Sequence, residues 1–249
     1  MTREVPLFPL GSVLYPGLVL PLHIFEPRYR LLVKHLLSRP ESDRVFGVVA
    51  IRSGHEVGAG SVHALHSVGC LARLQDAEEL PDGRYDVVSV GTTRFSLLEV
   101  HGLGSQQDAR ASGGEPAAPP PRPGRRRRSE PADAAAPAYL RATIGELAEP
   151  AGEAPDLVAR AVGTEFARYR ETLGVSPVRT EDLDAGLLSY VVSSAMLLDQ
   201  SDRQLLLEAA DTTQRLRLAL RLLRREAVIL RELGAVPGTD AARMAPGLN

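Results

Sequence analysis

Two periods divide the chain. Up to about Val100, apolar residues come in short runs or alternate with polar ones, the mark of strands. The runs are Val5–Leu10, Val13–Tyr15, Leu18–Phe25, Val45–Ile51 and Gly69–Leu74. Pro9, Gly11 and the pair Pro16-Gly17 punctuate them. Pro81-Asp82-Gly83 spells a turn between a run ending at Leu80 and the run Tyr85–Val90, which Arg94–Val100 follows. Several strands at this spacing predict a closed or partly closed antiparallel barrel. One helix interrupts them. Pro27 suits a first helical position with Glu26 before it, and Tyr29, Leu32, Val33, Leu36 and Leu37 share an apolar face.

From Asp156 the period becomes helical. Leu157, Ala161, Glu165, Phe166 and Tyr169 predict a first helix that ends at Leu173, before Gly174. Leu183, Leu187, Tyr190, Val191, Ala195 and Leu198 predict a second, opened by Thr180. Ser201-Asp202-Arg203-Gln204 reads as a capping box for a short third helix. Asp211-Thr212-Thr213-Gln214 opens a fourth, on which Leu216, Leu220, Leu223, Ala227 and Leu230 recur, widened by Leu218, Leu222 and Ile229.

Between the two regimes lies a stretch with neither period. Of the 33 residues from 104 to 136, 18 are Ala, Pro or Gly, and none is Leu, Ile, Val, Phe or Tyr. Such a segment cannot bury enough apolar surface to offset its ordering entropy, so it is expected to be a disordered insert. Tyr139–Leu147 then alternates like a strand, which makes the insert an overgrown hairpin loop. It carries Arg125-Arg126-Arg127-Arg128, a solvated run or a weak electrostatic tether.

Composition narrows the classes. The 249 residues are 44% hydrophobic and 24% charged, normal for a folded protein with a real core. With aromatics at 4% and no Trp, that core must be mostly Leu, Val and Ala. A formal net charge of −2 argues against a general nucleic-acid binder. Cys70 stands alone, so neither an internal disulfide nor a multi-cysteine zinc site is expected. No signal layout and no run near the roughly 20 apolar residues of a membrane span is found, so the cytoplasm is the expected location.

The common catalytic signatures are absent. Lys34, the only lysine, follows Val33, so no Gly-Lys pair exists for a phosphate-binding loop. His55-Glu56 begins a zinc-protease pattern, but Ala59 stands where the second histidine belongs. His63 and His66 have no carboxylate or cysteine close in sequence. Gly58-Ala59-Gly60 begins a dinucleotide pattern that His63 breaks. Cys70 sits in an apolar run and reads as a small hydrophobe. Neither catalytic residues, nor a metal, nor a cofactor is predicted.

One long motif is specific. Pro6-Leu7-Phe8-Pro9-Leu10-Gly11-Ser12-Val13-Leu14-Tyr15-Pro16-Gly17, followed by Leu20-Pro21-Leu22-His23-Ile24-Phe25-Glu26-Pro27-Arg28-Tyr29-Arg30, closely resembles the opening signature of the Lon protease N-terminal domain family. Asp82-Gly83-Arg84-Tyr85 and Val90-Gly91-Thr92-Thr93-Arg94-Phe95 resemble a second block, Tyr139-Leu140-Arg141-Ala142 the strand after it, and Arg215–Leu223 the last helix. The resemblance runs from about residue 4 to 235, and the insert departs from it.

That resemblance implies an α+β fold: a PUA-like β-barrel subdomain over residues 1–150, then an α-helical bundle over 151–236 and a flexible tail over 237–249. It implies a stand-alone, non-catalytic module that recognises proteins or unfolded peptide segments, without ATPase or protease parts. An apolar groove between barrel and bundle is expected to hold them. His23, Phe25, Arg28 and Tyr29 are the candidates near a groove edge; the same motif also has a structural reading, with Glu26, Arg28 and Arg30 as an ion-pair network. Arg94 is either a groove cation or the partner of an Asp or Glu. A small-molecule binder or unrecognised enzyme and a PUA-like RNA-binding module are the competing classes; nucleic acid and membrane are not expected partners.

Overall fold

The computed structural model describes residues 2–54, 62–102, 139–176, 178–180 and 182–232. Seven strands come first: β1 (Thr2–Leu10), β2 (Val19–Ile24), β3 (Val45–Gly54), β4 (Val62–Leu65), β5 (Val68–Glu79), β6 (Tyr85–His101) and β7 (Arg141–Glu146). Helix α1 (Pro27–Leu37) lies between β2 and β3, and four helices follow β7: α2 (Pro155–Thr172), α3 (Ala185–Ala195), α4 (Gln200–Glu208) and α5 (Thr212–Glu232).

β1 explains the continuous run Val5–Leu10. Val5 and Leu7 enter one core cluster with Leu71, Phe95 and Ile144, while Phe8 and Leu10 enter another with Tyr29, Leu32 and Val48. A strand between two cores has no polar face to show. β1 pairs β7 antiparallel on one side and β3 parallel on the other. β7 pairs β6, β6 pairs β5 and β5 pairs β3, so the path of pairings returns to β1. The sheet is therefore mixed. β2 adds to β6, and β4 adds to β3. Helix α1 closes one core with Tyr29, Leu32, Val33 and Leu36, the face that its spacing predicts.

Several predicted boundaries shift. Val13–Tyr15 is not a strand; Leu14 and Tyr15 are buried all the same. Tyr15 leaves the sheet and plugs into the helical core, its hydroxyl donating to the Arg203 carbonyl at 2.8 Å. Tyr85–Val90 and Arg94–Val100 are one strand, 17 residues long. The strand expected from Tyr139 starts at Arg141 and pairs with β6 as a hairpin would. The insert at 104–136, the tail from 237, and residues 55–61 with the zinc-protease-like pattern lie outside the described residues.

The helices pack through α2 and α5, which meet along Val162, Phe166, Tyr169, Leu216, Ala219 and Leu223. α3 opens at Ala185, not Thr180, with Asp184 accepting the Leu187 N–H at 2.9 Å. α4 is capped by Asp199, two residues before the expected Ser201. α5 is capped by Asp211, as predicted, through the Gln214 N–H at 2.7 Å. Two glutamines tie α4 to the sheet: Gln200 donates to the Ile51 carbonyl and Gln204 to that of Val68. Among the described residues no helix is long and apolar enough to cross a membrane.

Candidate binding cleft and its buried ion network

The turn Pro16-Gly17 faces the helices across a cleft of about 490 Å³. Pro16, Gly17, Leu187, Ala185 and Pro155 supply apolar wall, and Tyr190 and Glu149 lie at its base. The turn is fixed from below by β6. The Gly17 N–H donates to the Gly91 carbonyl at 2.8 Å, and the Gly91 N–H donates to the Leu18 carbonyl at 2.8 Å. Gly17 takes φ 79, and a Cβ there would stand 2.8 Å from Leu187 Cδ1, so wall and turn are already in contact.

Beneath the cleft two buried guanidiniums meet a partly exposed carboxylate, Glu149. Glu149 Oε1 accepts from Arg94 Nε and from the Tyr190 hydroxyl, the latter at 2.8 Å; its Oε2 accepts from Arg215 Nη2 at 3.1 Å. The Arg215 guanidinium lies 4.0 Å from the Tyr190 ring centroid, a cation–π contact. Arg215 is fully buried and Arg94 is 2% exposed. Two buried cations against one carboxylate leave a positive excess, which the C-terminal end of α4 meets. Arg215 Nε donates to the Leu206 carbonyl at 3.1 Å, and Arg94 Nη1 donates to those of Leu207 and Ala209 at 2.7 and 2.6 Å. Those carbonyls are the negative end of a helix dipole. Burial still pushes the Arg215 pKa down and the Tyr190 hydroxyl up.

The predicted residues therefore split. Arg94 does not reach the surface; it pairs with Glu149 and holds the cleft's base from below. His23, Phe25 and Tyr29 come together elsewhere, around a pocket of about 110 Å³ walled by Phe8, Leu10 and Leu22. Tyr29 is buried and stacks on Phe8 at 4.0 Å, whereas Phe25 is 48% exposed. Arg28 lies over the Tyr29 ring at 4.5 Å and pairs with Glu26 at 3.0 Å, one pair of the expected Glu26–Arg28–Arg30 network. His23 lies on the surface, with Nδ1 2.6 Å from Asp86 and Nε2 3.0 Å from Arg84 Nη1. Glu149, Tyr190 and Arg215 are not among the predicted site residues. Arg215 lies on the same helical stripe as Thr212, Leu216 and Ala219, and that position is the signal its burial left in the sequence.

Of the three carboxylates that line the cleft, Glu149 accepts from both guanidiniums and the Tyr190 phenol, Asp184 accepts the Leu187 N–H, and Asp156 stands at the start of α2. Cys70 is buried in the sheet with its thiol pKa raised by burial, the opposite of a reactive thiolate. Among the described residues no three His, Cys, Asp or Glu side chains are grouped to bind a metal.

Comparison with known proteins agrees with this architecture. Residues 4–225 match the family of the ATP-dependent protease La (LON) substrate-binding domain, and the chain belongs to that family. Lon protease 2 of Sorangium cellulosum is 30% identical over 241 residues, which are 92% of this chain and 25% of that protein. The Lon protease of Heliobacterium modesticaldum is 25% identical over 239 residues. The chain thus spans about a quarter of the length of these relatives. A Lon N-terminal domain protein from Xanthomonas campestris superposes with a TM-score of 0.53 at 20% identity, over 88% of this chain and 98% of that one. The N-terminal domain of a Mycobacterium avium complex Lon protease gives 0.58 at 16% identity, over 89% and 98%. At such identities these two structures speak to the fold alone.

Proposed function

We propose that this chain is a non-catalytic, cytoplasmic module that holds extended or unfolded segments of other proteins, with the cleft at Pro16-Gly17 as its principal binding groove. In this reading the returning path of strand pairings is the PUA-like barrel (1–150), the helices are the bundle (151–236), and the groove lies where the two meet. The observation that carries it is the cleft: apolar-walled, concave, and set on a base that the Glu149 network holds rigid. Such a site admits an apolar side chain without having to reorganise first. Family membership supports the choice of guest, because substrate binding is what the family is named for.

The test is a crosslink. A photo-reactive residue at Ala185, on the cleft wall, should label a reduced, unfolded model protein and leave its native form untouched. No labelling above background at concentrations on the order of tens of micromolar would overturn the assignment.

A further inference from the structure

The outer face of β2, β6 and β5 carries a second feature that the cleft does not explain. Register places three rows across these strands. Val19 stands beside Val90 and Arg73, Pro21 beside Val88 and Asp76, and His23 beside Asp86 and Glu78. Val19 is 45% and Val88 38% exposed, with Pro21 exposed between them. The result is a small apolar platform, with carboxylates along two of its sides. His23 extends it: its ring stacks with that of Phe25, 6.4 Å between centroids, at the mouth of the 110 Å³ pocket.

The charges around the platform are unequal. Asp76, Glu78, Asp82 and Asp86 share this side with Arg73 and Arg84; Arg84 is committed to Asp82 at 2.6 Å, His23 pairs with Asp86 at 2.6 Å, and Arg30 comes to the turn at Gly83. Strand addition is the less suitable mode. Pro21 has no N–H to offer along β2, and proline on a strand edge limits pairing with a further strand. A partner must instead lie on the face, with apolar side chains down and cationic ones outward toward the carboxylates.

We infer that this face is a docking surface for a segment that is apolar on one side and flanked by lysine or arginine, with Phe25 and its pocket taking an anchoring apolar side chain. It rests on the reading of the chain as a protein-binding module, and it names a second surface and the chemistry of what fits there. Apolar contact supplies adhesion, and the carboxylates select sign.

A fluorescein-labelled synthetic peptide with alternating leucine and lysine provides the probe, and its glutamate counterpart the control. The full chain should bind the lysine peptide at least about tenfold more tightly than the glutamate one, with the preference reduced in high salt. Val88→Lys and Val19→Lys, at exposed positions, should each weaken the lysine peptide about tenfold without changing Tm. Equal binding of both peptides, or wild-type affinity in both valine variants, overturns the inference. If the lysine peptide fails to bind while the cleft still captures unfolded protein, the docking surface is wrong and the module reading stands. If neither binds, both fall.

Discussion

Arg94 and Arg215 reach one carboxylate from different halves of the chain: Arg94 from strand β6 takes Glu149 Oε1, and Arg215 from helix α5 takes Oε2 at 3.1 Å. Each also donates to carbonyls at the end of α4. The sheet, the linker before α2 and two helices are therefore fastened at one carboxylate.

Removing Arg94 is costly because the Leu207 carbonyl stays buried without its donor, while Glu149, with 35% of its side chain exposed, keeps Arg215 and can reach water. Arg94→Met should destabilise the fold by about 1–3 kcal/mol. Arg94→Lys should recover only part of that, since an ammonium cannot serve Glu149 and the carbonyls of Ala148, Leu207 and Ala209 in the planar geometry of a guanidinium. Urea denaturation of the two variants reads both values; a wild-type midpoint for Arg94→Met would show that the network is not what joins the parts.

Gly91 is where β6 passes under the Pro16-Gly17 turn. A Cβ there would fall on the Tyr15 carbonyl oxygen, which is backbone and held in place by the turn's hydrogen bonds. Gly91→Ala should cost about 1–3 kcal/mol and move the cleft's strand-side wall. Thermal unfolding measures the first effect, and a loss of peptide capture beyond that of an equally destabilised variant elsewhere measures the second.

Alkali should act through the helical core. Burial raises the hydroxyl pKa of Tyr15, Tyr169 and Tyr190. Each is held neutral in the folded state, so its contribution is fully present below the unfolded value of about 10 and is lost as pH rises beyond it. Stability should be flat in this respect up to about pH 10 and then fall by up to about 1.4 kcal/mol per pH unit for each tyrosine. Tyrosinate absorbance should rise together with unfolding; smooth titration of all six tyrosines in the folded protein would contradict it.

The strand regime and the helical regime were readable because burial writes its period into the sequence. The first half of β6 alternates buried and exposed positions, the start of β5 is a continuous buried run, and α1 repeats at helical spacing. What failed is where burial has another cause. Val13–Tyr15 looks like a strand, yet Tyr15 is apolar because it enters the helical core. The starts of α3 and α4 slipped because several cap-capable residues stand close together there, and packing chose Asp184 and Asp199. Arg215 shows in the sequence only by its place on the α5 stripe, a faint mark, since a charged side chain normally indicates solvent. His23, Phe25 and Tyr29 do lie around the small pocket, with Arg28 over the Tyr29 ring, because the long motif keeps them adjacent in sequence. The larger cleft draws on residues from 16 to 212, a distance that no local spacing records.

The most direct measurement is the affinity of the intact chain for a fluorescein-labelled, reduced and alkylated model protein, compared between wild type and Leu187→Asp. Leu187 is half-buried on the cleft wall, and its N–H closes onto Asp184, a backbone contact that the substitution leaves in place. Saturable binding by wild type, weakened about tenfold or more in the variant with Tm preserved, is the predicted result. Equal binding by both, or none by wild type at concentrations on the order of tens of micromolar, would contradict the account.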